Sequence, residues 1–137
     1  METNEAAILH DKGFIQINGD EAKDFLQNIV TNDIEKVTDN FTLFSSILTP
    51  QGKYLYEFFI LKLRDGYLLE CEKEVAPEII KNFNFYKLRS KVNLTNASDE
   101  YSSIAISIEK LKEINNSQGS RGFTSIYNNE IFYIDPR

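Results

Sequence analysis

The chain has 137 residues, a formal net charge of −6 at pH 7, a pI near 4.8 and one cysteine, Cys71. The negative charge opposes the counterion-release attraction on which nucleic-acid binders depend, so no direct nucleic-acid ligand is expected. A lone cysteine excludes an internal disulfide and any multi-cysteine metal cluster supplied by this chain alone, which points to a reducing, cytoplasmic setting.

The start, Met1 to Asp11, lacks the basic flank and long apolar core of a secretory signal. Phe14-Ile15-Gln16-Ile17 predicts a short strand, closed by Asn18-Gly19, with Asp20 placed to cap a helix over Asp20 to Val30. In that helix Ala22, Phe25, Leu26, Ile29 and Val30 recur at helical spacing and form one apolar stripe. Thr31-Asn32-Asp33 breaks the pattern, and Phe41 to Leu48 predicts a strand leading into the turn Thr49-Pro50-Gln51-Gly52. A long strand, Lys53 to Leu63, contains the longest apolar run. It is interrupted by Glu57 and is far shorter than the roughly 20 residues of a membrane span, so no membrane contact is expected.

Arg64-Asp65-Gly66 predicts a tight hairpin turning at Asp65-Gly66, with Tyr67 to Glu72 returning antiparallel. Val75, Ala76, Ile79, Ile80 and Phe83 predict a second amphipathic helix over Val75 to Tyr86, with Pro77 tolerated in its first turn. Val92-Asn93-Leu94 and the alternation of Ile104, Ile106 and Ile108 predict further strands. A short helix over Glu109 to Ile114, a polar loop from Asn115 to Gly122 and a last hairpin turning at Asn128-Asn129 complete the chain. The order of elements predicts a single domain of α+β class, with helices on one face of an antiparallel sheet and ferredoxin-like elements.

Period-two alternation along the long strand groups Leu55, Glu57, Phe59, Leu61 and Leu63 on one face. Glu57 is therefore expected among apolar neighbours, where a carboxylate loses hydration and becomes able to hold a proton or grip a ligand N–H group. The bland alternative is a strand edge or bulge that leaves Glu57 wet, or paired with an arginine such as Arg89. Cys71 shares a face with Tyr67 and Leu69 and reads as an inert core thiol. His10 has no second imidazole or thiol nearby in sequence and reads as surface, so no metal site is expected. Asn32 and Asp33 read as turn-closing residues. Lys87, Arg89 and Lys91 form a basic cluster that suits a small anion, although such clusters are more often solvated surface. Pro50-Gln51-Gly52-Lys53 lacks the glycine spacing of a phosphate-cradling loop.

Phe25-Leu26-Gln27, Thr31-Asn32-Asp33, Leu48-Thr49-Pro50-Gln51-Gly52-Lys53, Phe85 to Val92 and Asp135-Pro136-Arg137 occur in order along the chain. In these blocks it resembles the YgfZ proteins and their mitochondrial counterparts, relatives of the glycine-cleavage T-protein that bind tetrahydrofolate and support iron–sulfur cluster assembly or repair. The resemblance implies the N-terminal folate-binding fold of the T-protein superfamily. It puts Glu57 where the aminomethyltransferases carry the carboxylate that faces the folate, with Tyr56 replacing the aspartate before it. Asn32, Gln51 and Arg89 become second-tier contacts, and Glu57 is the one candidate for a catalytic role. Glu72 and Lys73 stand where the transferases usually have an asparagine near the pterin, so both departures favour the iron–sulfur accessory protein over aminomethyl transfer. Members of that family continue into a second half with a lysine-glycine-cysteine-tyrosine signature. The resemblance thus implies an N-terminal part, completed by that half or by a partner chain.

Three functions follow as expectations. The first is a tetrahydrofolate-binding accessory protein whose partners are iron–sulfur client or assembly proteins. The second is an aminomethyltransferase that passes a one-carbon unit to tetrahydrofolate. The third is a non-catalytic interaction domain whose exposed sheet is covered by a second copy or another subunit.

Overall fold

The computed structural model describes residues 6–106, 122, 124–127 and 130–137. In chain order these residues form β1 (Ala6–Leu9), β2 (Lys12–Asn18), α1 (Ala22–Ile29), β3 (Leu43–Leu48), β4 (Tyr54–Leu63) and β5 (Gly66–Glu72). There follow α2 (Ala76–Lys87), β6 (Asn93–Asn96), β7 (Ser103–Ile106), β8 (Thr124–Tyr127) and β9 (Glu130–Tyr133). The central sheet has the order β3-β4-β5-β2-β6 and is antiparallel throughout, while β1–β7 and β8–β9 form separate two-stranded pairs. The expected helix over Glu109 to Ile114, nearly all of the loop before Gly122, Ile108 and the Asn128-Asn129 turn lie outside the described residues. Among the described residues no helix is long and apolar enough to cross a membrane.

Both helices lie on one face of the sheet, as their apolar stripes require. Ala22, Phe25 and Leu26 of α1 and Ala76, Ile79 and Phe83 of α2 bury against Ile15, Ile17, Phe58, Ile60 and Leu69. A smaller cluster forms on the other face from Phe14, Phe59, Leu61 and Leu68, with Tyr101, Ile131 and Tyr133 packed on it. Pro77 sits in the first turn of α2, where its missing N–H costs nothing. Asp20 does not cap α1. The helix starts at Ala22, its entry set by Gly19 at φ 123° and by Glu21 N–H donating to the Lys91 carbonyl at 3.3 Å, while the Glu21 carboxylate accepts from Lys91 N–H at 2.6 Å.

The hairpin between β4 and β5 is antiparallel but turns one residue earlier than expected. Leu63 pairs with Gly66, leaving Arg64-Asp65 as the two-residue turn. The open edge at β3 is covered by the segment after α1. Thr31 N–H donates to the Ser46 carbonyl at 2.9 Å, and the Asn32 side-chain amide donates to the Phe44 carbonyl at 3.1 Å. The C-terminal pair β8–β9 is tied to the loop before β3. Thr42 N–H donates to the Gly122 carbonyl at 2.7 Å, Thr124 N–H donates to the Asn40 carbonyl at 2.8 Å, and the two threonine hydroxyls meet at 2.7 Å. These bonds hold Tyr133 and the chain beyond it over the helix-free face.

Candidate functional site

Directly opposed residues of an antiparallel ladder point to the same side. The registers Phe44↔Phe59, Ser46↔Glu57, Phe59↔Glu70, Phe14↔Glu70 and Lys12↔Glu72 therefore gather these side chains on the face away from the helices. The polar members crowd toward one end, and the apolar members run from Phe59 and Phe14 to Leu61 and Leu68.

Alternation thus assigns Glu57 to the correct face, and of its two expected settings the structure has the wet one: the side chain is exposed, and the burial among apolar neighbours does not occur. The reason is strand overhang. β5 pairs with β4 only from Phe59 onward, so Glu57 has Ser46 of β3 on one side and no β5 residue on the other. The nearby cation is Arg137, which belongs to the same small depression as Glu57. Its guanidinium lies 5.0 Å from the centre of the Phe59 ring and is held by the Asp135 carboxylate at 2.7 Å. The Asp135 hydrogen bond is the main influence favouring the charged form of Arg137, and Glu57 adds to it from farther away.

The desolvated carboxylate on this face is Glu70, which is 6% exposed and, among the described residues, the one buried side chain of a charged type. The Tyr133 hydroxyl donates to it at 2.7 Å, and the Tyr133 ring packs edge-on to Phe59 with centroids 5.7 Å apart. Burial, and then the neighbouring Glu70 charge, push the Tyr133 hydroxyl well above its ordinary pKa, so it remains a donor. Lys12 and Glu72 close the rim with a 3.0 Å ion pair. The depression between Lys12, Phe44, Glu57, Glu70 and Arg137 measures only about 60 Å³. Ligand clefts typically have ~300–1,000 Å³, so this depression does not enclose a ligand by itself. Sequence reasoning missed Glu70. The available signal was Leu68, two residues earlier on the same face, which marks that face as covered.

Asn32, Gln51 and Arg89 do not line this depression. Asn32 is half-buried and braces the β3 edge, its Oδ1 accepting Asp33 N–H at 2.8 Å, while Asp33 Oδ1 accepts Glu35 N–H at 3.0 Å. Gln51 is exposed at the tip of the β3–β4 hairpin, where Gly52 takes φ 84°. Arg89 is exposed in the loop between α2 and β6. Its neighbours Lys87, Ser90 and Lys91 line a larger open groove of about 430 Å³ with Gly19 and Asp20. That groove is polar and shallow, with Asp20 as its carboxylate, and it lacks the aromatic side chains found around Glu70. Among the described residues no group of three or more His, Cys, Asp or Glu side chains is arranged to hold a metal ion.

Cys71 points to the helical face and is 3% exposed. Burial is the main cause that pushes its thiol from 9.0 up to about 12. Native-state alkylation with a small maleimide at pH 7.5 is therefore expected to be orders of magnitude slower than in denaturant; equal rates would contradict this. Because the folded pKa is raised, the unfolded chain releases this proton first. The stability held below pH 9 is expected to fall as the pH climbs from about 9 toward 12.

The GCVT N-terminal domain model matches residues 4–109, most of the chain. The chain belongs to the GCVT N-terminal domain family. Over 104 residues it is 32% identical to the iron–sulfur cluster assembly factor IBA57 homolog, mitochondrial, of Mycosarcoma maydis, a match that covers 66% of this chain and 26% of that protein. Over 105 residues it is 31% identical to an aminomethyltransferase of Thermoanaerobacter pseudethanolicus, covering 74% of this chain and 28% of that one. The glycine cleavage system aminomethyltransferase T of Bartonella henselae shares the fold with a TM-score of 0.61 at 13% identity, over 69% of this chain and 27% of that chain. The chain thus spans about a quarter of the length of the relatives it matches. The antiparallel sheet with helices on one face, expected from the sequence, is the GCVT N-terminal architecture.

Proposed function

We propose that this GCVT-family chain contributes a tetrahydrofolate-binding wall to an accessory protein of iron–sulfur cluster assembly or repair, acting in a reducing compartment such as the cytoplasm. The observation that carries the reading is the helix-free face on which Glu57 stands beside the Phe59 ring, Arg137 and the Glu70–Tyr133 pair. An exposed carboxylate at the end of a covered aromatic cluster suits the N–H-rich edge of a planar heterocycle, because the acid accepts its hydrogen bonds while the packed rings hold the strand that presents it. The similarity to an IBA57 homolog supports the iron–sulfur assignment, with client or assembly proteins as partners. In this reading Glu57 contacts the ligand, and Asn32, Gln51 and Arg89 support the site from its periphery. Exposure suits Glu57 to this role, since an open carboxylate meets an incoming ligand directly.

The alternative reading is aminomethyl transfer to tetrahydrofolate, which the similarity to an aminomethyltransferase supports. Transfer from an aminomethyl-lipoyl carrier, assayed with the full-length natural protein, separates the two. In that same protein Glu57→Gln is expected to keep the fold yet weaken tetrahydrofolate binding by about 1.5–3 kcal/mol, the usual worth of a hydrogen bond to a charged group. Titration calorimetry measures it, and an unchanged affinity removes Glu57 from the site.

A further inference from the structure

We infer that Glu70 is a second ligand-binding carboxylate of the helix-free face, held in orientation by Tyr133, and that the two acids take the N–H-rich edge of an aminopyrimidine-type heterocycle. This deepens the proposed function and rests on it.

A buried carboxylate is expensive unless something compensates it. Salt bridges among the described residues do not include Glu70, and its hydrogen bond comes from a neutral hydroxyl, Tyr133, on a different sheet. Packing alone would be better served by an apolar residue at this position. Its in-face neighbours are Phe14, opposed to it on β2, and Phe59, opposed to it on β4. A glutamate set between two phenylalanines is unusual for packing alone, since Glu is rarely buried this far. Tyr133 binds Oε2, and Glu70 lines the depression shared with Glu57. Glu57 lies two residues along β4 from Phe59, the residue opposed to Glu70, so the two acids are diagonal neighbours on one face. Such diagonal positions are typically about 7–8 Å apart, a span suited to two points along the edge of one heterocycle. Arg137 and Lys12 line the same depression, so two cations stand near the two acids although their direct partners are Asp135 and Glu72. The geometry separates the roles of the two acids. Glu57 is open and meets the ligand first, whereas Glu70 is rigid and fixes its orientation.

The test uses the full-length natural protein, titrated with tetrahydrofolate under anaerobic conditions and paired with thermal unfolding of each variant. Glu70→Gln is expected to weaken binding about tenfold or more with the folded state retained, since the amide keeps the shape and loses the charge. Tyr133→Phe is expected to weaken it several-fold, and to change nothing further in the Glu70→Gln background, because it acts only through the carboxylate. A merely structural pair would move the unfolding midpoint and leave the affinity alone. Should Glu70→Gln unfold at the assay temperature, Glu70→Asp, which keeps the charge but shortens its reach, is expected to give the same loss. Wild-type binding with affinities within twofold in the Glu70 variants overturns the inference and leaves the proposed function standing. Additive effects of the Glu70 and Tyr133 changes overturn the positioning role. Absence of tetrahydrofolate binding by the unaltered protein overturns the proposed function, and the inference with it.

Discussion

Phe83→Ala is expected to lower the unfolding free energy by about 4 kcal/mol, within the usual range for removing a core phenylalanine. Phe83 is fully buried, and its ring meets Phe25 of α1 edge-on at 5.8 Å and Phe58 of β4 at 6.2 Å. It therefore joins both helices to the sheet. Three elements border the space it would vacate, and the sheet cannot collapse into it without breaking the β3–β4–β5 ladders. Urea unfolding followed by far-ultraviolet circular dichroism reads the loss as a shift in midpoint at constant slope. A loss below about 1.5 kcal/mol would show that α2 closes the gap by sliding.

Gly66→Ala should rank next, at about 3 kcal/mol, the upper part of the range for overpacking. An added Cβ there would lie 2.1 Å from the Ile17 carbonyl oxygen and 2.7 Å from Asn18 Oδ1. The first obstacle is backbone of β2, a strand paired on both sides by β5 and β6, so it cannot yield without disturbing its ladders. Gly52→Ala is the informative control. Nothing lies within 4 Å of its added methyl, and the cost reduces to the positive φ of 84°, about 1 kcal/mol. If the two variants melt alike, crowding at Gly66 is not the reason for its glycine.

The sequence reveals what depends on neighbours along the chain and conceals what depends on register. The stripe from Ala22 to Val30 identifies α1 because helical spacing is local, and the faces of β4 follow from alternation alone. Alternation cannot show where a strand outruns its partner. That is why Glu57, rather than Glu70, reads as the desolvated acid in the sequence: the β5 ladder stops short of one carboxylate while the C-terminal hairpin covers the other. The Asp20 cap fails for a similar reason, since Lys91, 70 residues from Glu21, takes over the entry to α1. Gly66 reads as a turn residue, but its reason is spatial, the closeness of the Ile17 carbonyl. Asn32, Gln51 and Arg89 enter through resemblance, and nothing local in the sequence shows that none of them lines the depression with Glu57.

The Glu70–Tyr133 bond also has a temporal side, because its two ends are 63 residues apart in the chain. At ~5–20 residues per second, a ribosome needs roughly 3 to 13 s to proceed from one to the other. During that interval β2, β4 and β5 can already pair and the helices can already cover their face, while the Glu70 carboxylate stays hydrated. Arrival of β9 then dehydrates the acid and supplies its donor in the same event. Maturation of this surface therefore waits for the synthesis of Tyr133, and a chain released before that residue would carry a paired sheet whose Glu70 still lacks its cover and its donor.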